Sequence, residues 1–511
     1  MSKLNRRDFM KSSLMAGAAF AMATPFSRAR GANNDIRIAV VGIGGQGGGH
    51  CRQWSNMQGV RLVAICDPDE TQMNNIRLGG GGGGGFARRG MPGEQPQPIQ
   101  QPQQELQKYT DVRKLLENKE IDAISSATPN HWHSLVTVWA CQAGKDVYIE
   151  KPASHEIWEG RKMVEAARKY NRIVQLGTQK RSSEAHKQAF EWIHAGNLGA
   201  IKWVRGLCYK MRGPGSNGIV TAANGPNPLP PTINYDLWCG PAEMEPLRRT
   251  QLHYAWHWVW NTGCGDIGNQ GPHEMDLARW ALGDNAKGLP ERVFSFGGRF
   301  GVFDAGETPN TIVSFYDYKP APLIFEVRGL PPMKGARGMD RFPKTSIEIG
   351  IVVQCENGFW AAGDGGGAVY NNDGTQTDIR FSGGGGGSHY ANFIKAVRSR
   401  KIEDLNADIE IGHISTSLSH MGNISYRLGM KKTPDEIKAA IGDNAEMLDS
   451  FERTLANLTA NEVDLEKEPI TIGPMLTMDP KTERFTGEFS EWANMYVKRN
   501  YREPYVVPDA V

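Results

Sequence analysis

The stretch Ile36-Arg37-Ile38-Ala39-Val40-Val41-Gly42-Ile43-Gly44-Gly45-Gln46-Gly47 decides the fold. Residues 36–41 form a short, mostly apolar, β-branched run, the composition of a buried strand. The run leads straight into G-x-G-x-x-G. Gly42 permits a tight turn there, Gly44 lets the backbone approach a pyrophosphate, and Gly47 allows close packing of the following helix. A second apolar run, 61–66, ends at Asp67, twenty residues past Gly47, where a carboxylate can accept hydrogen bonds from a ribose diol. Strand, glycines, second strand and acid stand in the register that a dinucleotide-binding βαβ unit requires. The carboxylate of Asp67 favours NAD, and NADP stays open because a neighbouring Arg could still take a 2′-phosphate.

Alternation continues with a helical pattern at 111–118, a strand at 123–127, a helix at 135–143 and a strand at 147–150, which predicts an α/β fold with a doubly wound parallel sheet over 35–155. Within it, 78–104 holds seven consecutive glycines and then a Pro/Gln-rich run, a composition that packs no core and reads as a surface insertion. Beyond Lys151 come a helix at 157–170, a short strand at 173–176, and longer alternating runs at 200–209, 293–299, 311–316, 323–328 and 347–355. These predict a second α/β domain over 156–430 built on a large, mostly antiparallel open sheet. One face of that sheet is expected under helices, 389–399 and 409–428 among them, and the other free as a dimer surface or substrate wall. Residues 431–511 form a C-terminal extension, with helical patterns at 435–440 and 445–458, to which no chemistry is assigned.

At 511 residues, 39% hydrophobic and 22% charged, the chain has globular composition and room for two or three domains. Lys and Arg total 58 against 56 Asp and Glu, so the chain is not a nucleic-acid-binding polycation. Seven Cys without a C-x-x-C pair argue against a disulfide framework and a zinc ribbon, and most read as small core residues. The first 31 residues resemble a twin-arginine (Tat) export signal: Arg6-Arg7 within a basic segment, an apolar run at 14–26, and small residues around 27–32. Cleavage after Gly31 removes six basic residues and one acid, taking the formal charge from +2 to −3. No later run reaches the roughly 20 apolar residues of a spanning helix, so no membrane anchor is expected. The mature chain is then expected outside the cytoplasm, in the periplasm, with the Tat machinery as its transport partner.

Together with 42–47, the run Ala127-Thr128-Pro129-Asn130-His131-Trp132-His133, then Glu150-Lys151-Pro152 and Gly177-Thr178-Gln179, resembles the Gfo/Idh/MocA oxidoreductases over about residues 35–430. The resemblance implies a Rossmann domain followed by an α/β domain with an open sheet. It places Lys151 beside the nicotinamide and the reacting hydroxyl, with the proline after it often in a cis bond. Thr128, Pro129, Asn130, His133 and Glu150 would line the cofactor side and Gln179 the substrate side. Lys151 also has an independent argument. Taking a proton from an alcohol as its hydride leaves needs a neutral base, and a cationic nicotinamide ring lowers a neighbouring ammonium pKa toward the working range.

A second constellation is Asp266-Ile267-Gly268-Asn269-Gln270-Gly271-Pro272-His273. Members of the family often carry Asp-x-Gly-x-His here, and this chain has Asn269 in place of the aspartate. Asparagine can orient a hydroxyl or water but cannot act as a base, whereas His273 can donate, accept or carry a proton. Asp266 is a candidate to supply the missing charge toward the substrate. In the run 253–260, if extended, Tyr254, Trp256, Trp258 and Trp260 share one face, a platform for the C–H face of a sugar, with Trp256 a candidate contact. His131 with His133, and His253 with His257, lack a third ligand at fixed spacing, so no metal is expected.

The sequence therefore points to an exported NAD-dependent oxidoreductase, expected as a homo-oligomer, that acts on a sugar or polyol hydroxyl with Lys151, His273 and Asn269 at the reacting centre. Export of folded protein away from the cytoplasmic cofactor pool implies a dinucleotide held through turnover, with the hydride returned on the enzyme, as in relatives of glucose-fructose oxidoreductase. Two alternatives remain: a redox-neutral NAD-dependent glycosidase, and a carbohydrate-binding protein that kept the fold without turnover, for which Asn269 is the motivating change.

Overall fold

The computed structural model describes residues 34–76, 78, 105–222 and 224–511. The segment expected to be an export signal, with its Arg6-Arg7 pair, and all of the 78–104 insertion except Leu78, lie outside the described residues.

The first sheet has six parallel strands: β1 (Ile36–Val41), β2 (Val60–Cys66), β3 (Gln107–Tyr109), β4 (Ala123–Ser126), β5 (Asp146–Ile149) and β6 (Val174–Leu176), in the order β3-β2-β1-β4-β5-β6. The order reverses between β1 and β4, and in a doubly wound sheet a ligand binds in the crevice beyond the strand ends at such a reversal. Buried side chains on both faces account for the near-continuous apolar character of these strands. The edge strand β3 has no signal in the sequence. It is three residues long, and its backbone pairing with β2, not its side chains, defines it.

The second sheet has twelve strands. Its main path runs β14-β13-β12-β11-β7-β10-β9-β8-β16-β15, and β17 pairs with β8 and β18. The strands are β7 (Ile201–Tyr209), β8 (Arg292–Gly298), β9 (Thr311–Tyr316), β10 (Leu323–Arg328), β11 (Ile349–Cys355), β12 (Gly358–Gly363), β13 (Gly366–Tyr370), β14 (Gln376–Ser382), β15 (Met430–Lys432), β16 (Ile470–Ile472), β17 (Leu476–Asp479) and β18 (Arg484–Thr486). All its pairings are antiparallel except β7 with β10. The five predicted runs fall on β7 to β11.

One face of this sheet packs against helices 271–282 and 409–427, where Met275, Leu418 and Met421 join Val204, Phe325 and Trp360 in one buried cluster. The other face is not free, contrary to the expectation from the alternating pattern. Helices 434–441 and 445–460 of the C-terminal extension lie across β8, β9 and β10, burying Ile437, Phe451 and Leu458 against Phe296, Phe315 and Ile324. Filling one such aromatic position is worth roughly 1.5–3 kcal/mol. Near its end the chain returns to the first sheet, where Tyr505 and Val507 are buried in its core. All seven cysteines are buried, in line with their reading as small core residues. Among the described residues no helix is long and apolar enough to cross a membrane.

Candidate active site

A cleft of about 920 Å³ opens beyond the C-terminal ends of β1, β2, β4 and β5 and is closed on its far side by one end of the large sheet. Its near wall is the glycine turn. Gly42 has φ +74°, and a Cβ there would stand 2.7 Å from the backbone nitrogen of Thr128. At Gly47 a Cβ would fall 1.8 Å from the Gly42 carbonyl oxygen, so Gly47 holds the first helix, α1 (Gly45–Ser55), against the turn without itself lining the cleft. Gly44 differs from both, because a Cβ there would meet only Gln72 Oε1, at 3.7 Å. No side chain caps α1, so its first N–H groups stay free for an anion.

Asp67 lies under this turn. Its two oxygens accept from the backbone N–H groups of Ile43 and Asp69, each at 2.9 Å, which leaves acceptor capacity for ribose hydroxyls. Burial pushes its carboxyl up, and those two N–H groups oppose the shift. Across the crevice, Thr128, Pro129 and Asn130 line the wall, and the buried Oδ1 of Asn130 has no partner. Open space at Gly44, a free helix terminus, the Asp67 carboxylate and an orphaned acceptor together fit a dinucleotide. His133 braces this wall, with its ring nitrogens 2.5 Å from the Pro152 carbonyl and 2.8 Å from that of Thr128.

Lys151 follows β5, and the Lys151–Pro152 bond is cis, as the resemblance implies. Its Nζ donates to the Asn269 backbone oxygen at 2.7 Å and to Asn269 Oδ1 at 3.2 Å. Burial pushes the ammonium down from its ordinary value, and the charge of Lys210 adds to this while Glu150 opposes it. Glu150 is not a close ion-pair partner of that ammonium. Its Oε1 lies 3.1 Å from His50 Nε2 and accepts from Gln46 and Gln179, each at 3.2 Å. Burial alone would raise the Glu150 carboxyl, but the contact with His50 holds it at about 2.

His273 stands on helix 271–282 and faces the cleft, with its buried Nδ1 unpartnered. Burial, followed by the charges of Lys151 and Lys180, lowers its pKa to about 3, so at neutral pH it is an uncharged imidazole. Lys151, Asn269, His273 and Gln179 thus meet in one cleft, as the sequence predicts. Asp266 does not join them. It is buried in a two-bond ion pair with Arg212 (2.6 and 2.9 Å) and accepts from Asn269 Nδ2 at 3.3 Å. The candidate substrate carboxylate is therefore a brace behind Asn269, because a guanidinium 54 residues earlier in the chain compensates its buried charge.

The aromatic run also departs from the extended reading. Tyr254 has φ +64° and residues 255–258 form a turn of 3₁₀ helix, held close by Gly263, where a Cβ would lie 2.5 Å from the carbonyl oxygens of both Trp256 and His257. Trp256 lines the cleft with its ring stacked 3.6 Å from that of His257, whereas Trp258 is fully buried. Trp260 faces a different cavity.

Residues 36–178 match the sequence model of an oxidoreductase family with an NAD-binding Rossmann fold, and 201–294 match that family's C-terminal α/β domain. Both are models of the Gfo/Idh/MocA oxidoreductase family, which the chain matches over those residues. It is similar to a glycosyl hydrolase family 109 protein of Shewanella pealeana (27% identical, 32% of this chain and 37% of that protein). It is also similar to an inositol 2-dehydrogenase of Salmonella paratyphi B (26% identical, 34% of this chain and 46% of that protein). These matches therefore span less than half of either relative. Among solved structures the fold resembles the WlbA dehydrogenase of Bordetella pertussis in complex with NADH and UDP-GlcNAcA (TM-score 0.50, 17% identical, 76% of this chain and 95% of that chain). It also resembles GenD2 from gentamicin A biosynthesis in complex with NAD (TM-score 0.51, 17% identical, 78% and 95%).

Several residues that line the cleft carry no sequence signal. Lys180 pairs with Glu274 and with Asp364, the latter at 2.7 Å, across helix 271–282 and the β12–β13 turn. Lys210, just past β7, lines the cleft and makes no ion pair among the described residues. Only the meeting of sheet end and helix brings these side chains together. No group of three or more His, Cys, Asp or Glu that could hold a metal ion occurs among the described residues.

Asn269 gives a direct test of how the cleft sets the Lys151 proton. Asn269→Asp places a carboxylate where Oδ1 now accepts from Nζ, which favours the ammonium. The acidic limb of the kcat/KM pH profile should move to higher pH, and an unmoved limb would show that Lys151 does not titrate in that profile.

Proposed function

We propose that this chain oxidises and reduces a hydroxyl-bearing carbon of a sugar or polyol, using NAD held in the cleft through turnover. The observation that carries the reading is Lys151 Nζ, half-buried and held by both oxygens of Asn269 in the same cleft as the open glycine turn. Bound NAD supplies the acceptor and donor for the hydride. The residues supply the rest. Uncharged Lys151 takes the hydroxyl proton as the C–H hydride departs, and its ammonium returns that proton in the reverse direction. His273, neutral and with a free ring nitrogen, hydrogen-bonds the reacting or neighbouring hydroxyl. Asn269 holds Nζ in place and cannot compete for the proton. Trp256 offers a ring face to the sugar C–H groups.

The leader with its Arg pair supports a location outside the cytoplasm, which in turn favours a cofactor that does not exchange. The relatives named as family 109 glycosyl hydrolases favour a second reading on the same residues. One hydroxyl is oxidised, the neighbouring C–H loses its proton, the glycosidic oxygen leaves, water adds, and the carbonyl is reduced by the same hydride. The net reaction is then hydrolysis. Product analysis after incubation with simple sugars and with aryl glycosides separates the two, since oxidation gives a keto sugar or lactone and the closed cycle gives free monosaccharide. Absence of both with every sugar tested, by protein containing dinucleotide, would leave the carbohydrate-binding alternative.

A further inference from the structure

A second cavity, of about 280 Å³, is lined by residues near Lys151 and Asn269 in the chain, His155 and Glu156 after the first and Gly263 and Cys264 before the second. Its walls come from the chain after Pro152, the exposed Glu243 and Glu245, the 260–264 turn, helix 409–427 and the C-terminal segment around 495–499. The Arg427 guanidinium stands there between two rings, 4.1 Å from the Tyr496 centroid and 4.8 Å from that of Trp260, and has no hydrogen bond or ion pair to a side chain among the described residues. Arg499 spends one nitrogen on Asn261, at 3.1 Å to its backbone oxygen and 2.8 Å to Oδ1, while its buried Nε and Nη1 are unpartnered. Two acceptors in the same lining are also orphaned. Asn423 is buried and uses only its Nδ2, on the Cys264 carbonyl at 2.9 Å, leaving Oδ1 without a donor. Glu156 lies with one oxygen 2.5 Å from His155 Nδ1, and its Oε2 is buried without a partner.

Orphaned buried donors and acceptors around one space are costly unless something fills it with the complementary set. Two arginines ask for an anion, and the planar fork of a guanidinium matches a carboxylate. Asn423 Oδ1 and Glu156 Oε2 ask for hydroxyl donors beside it. A dianionic phosphate suits the lining less, because Glu156 would face it. We propose that this cavity is a binding site for a small hydroxycarboxylate, its carboxylate between Arg427 and Arg499 and its hydroxyls on Asn423 and Glu156. Burial raises the Glu156 carboxyl to about 7 against the pull of Arg499 and Arg427, so a share of it carries a proton at neutral pH and donates. Asn423 also holds the Cys264 carbonyl, one residue before the helix that ends in Asn269, so a ligand here abuts the support of the Lys151 site.

The test is calorimetric titration of the full chain with D-glycerate, L-malate and D-gluconate, with propionate and succinate as hydroxyl-free counterparts, at constant ionic strength. At least one hydroxy acid should bind saturably, one per chain, and more tightly than its counterpart. Arg427→Ala and Asn423→Ala should each weaken that binding about tenfold, the worth of one charge-assisted or buried hydrogen bond. Lys210→Ala, which alters the other cleft, should leave it unchanged. Arg427 is solvent-exposed at its edge, so its alanine variant is expected to fold, and circular dichroism checks this. No saturable binding by any of the three acids would mean a water-filled cavity and overturn the proposal. Binding lost in Lys210→Ala but kept in Arg427→Ala would place the acid in the large cleft and overturn it equally.

Discussion

Lys151→Ala should lower kcat for sugar oxidation by about 10²- to 10⁴-fold, the range that a positioned general base contributes, with bound dinucleotide retained. Retention is expected because the glycine turn, Asp67 and Asn130 do not depend on the amine, whose two hydrogen bonds go to Asn269. Lys151→Arg should not rescue the loss. A guanidinium stays protonated at any pH the protein survives and cannot take a proton. In the wild type, kcat/KM should rise with pH as the ammonium, held below its ordinary value by burial, gives up its proton. His273→Gln should be milder than Lys151→Ala, because a ring neutral at pH 7 contributes a hydrogen bond and no charge. A Lys151→Ala enzyme with normal kcat would remove Lys151 from the reaction.

The second large effect is on stability. Glu326 lies fully buried in β10, where it accepts from Arg205 of β7 at 2.5 Å, from Arg453 of helix 445–460 at 2.6 and 2.8 Å, and from the Tyr209 hydroxyl at 2.6 Å. Burial alone would raise its carboxyl, but the guanidiniums of Arg453 and Arg205 hold it well below the ordinary range. Glu326→Ala leaves those guanidiniums and nearby Arg328 without their shared buried anion, and should cost about 3–5 kcal/mol. The loss should appear as a lower urea midpoint. Because Arg453 links the C-terminal helix to the sheet, cleavage within 434–460 by a dilute protease should also accelerate. A midpoint equal to wild type would mean that apolar contacts such as Phe451 on Phe296 hold that helix without the ion cluster.

The sequence makes β1 and β2 legible because each is a mostly apolar run closed by a chemically distinctive residue, Gly42 after β1 and Asp67 after β2. The predicted strands of the second sheet were equally readable from their alternation. Covering of the free face was not. Helices 434–441 and 445–460 look like any amphipathic pair until their partner surface is known. Lys151, Asn269 and His273 were legible because short motifs carry them. Asp266 was misassigned because its partner Arg212 lies in a different element, and no local pattern reports such a pairing. The bend at 254–258 was hidden for a related reason. Alternating aromatics imply a strand, but the local backbone follows Tyr254 in the left-handed region and the close approach of Gly263. Lys180, Lys210 and Asp364 enter the cleft only because the end of the large sheet reaches it.

A cleft that holds NAD through turnover, with Lys151 governing its exchange of hydride with a sugar, leaves a direct trace in the dinucleotide the protein carries. The most direct measurement is to purify the folded protein without added cofactor, denature it before and after incubation with a panel of sugars and polyols, and identify released dinucleotide by mass spectrometry and absorbance. About one NAD or NADH per chain is expected, the occupancy of a single Rossmann crevice, with the ratio of the two shifted by at least one sugar in the wild type and by none in Lys151→Ala. Protein that releases no dinucleotide and binds neither added NAD nor NADP would contradict it.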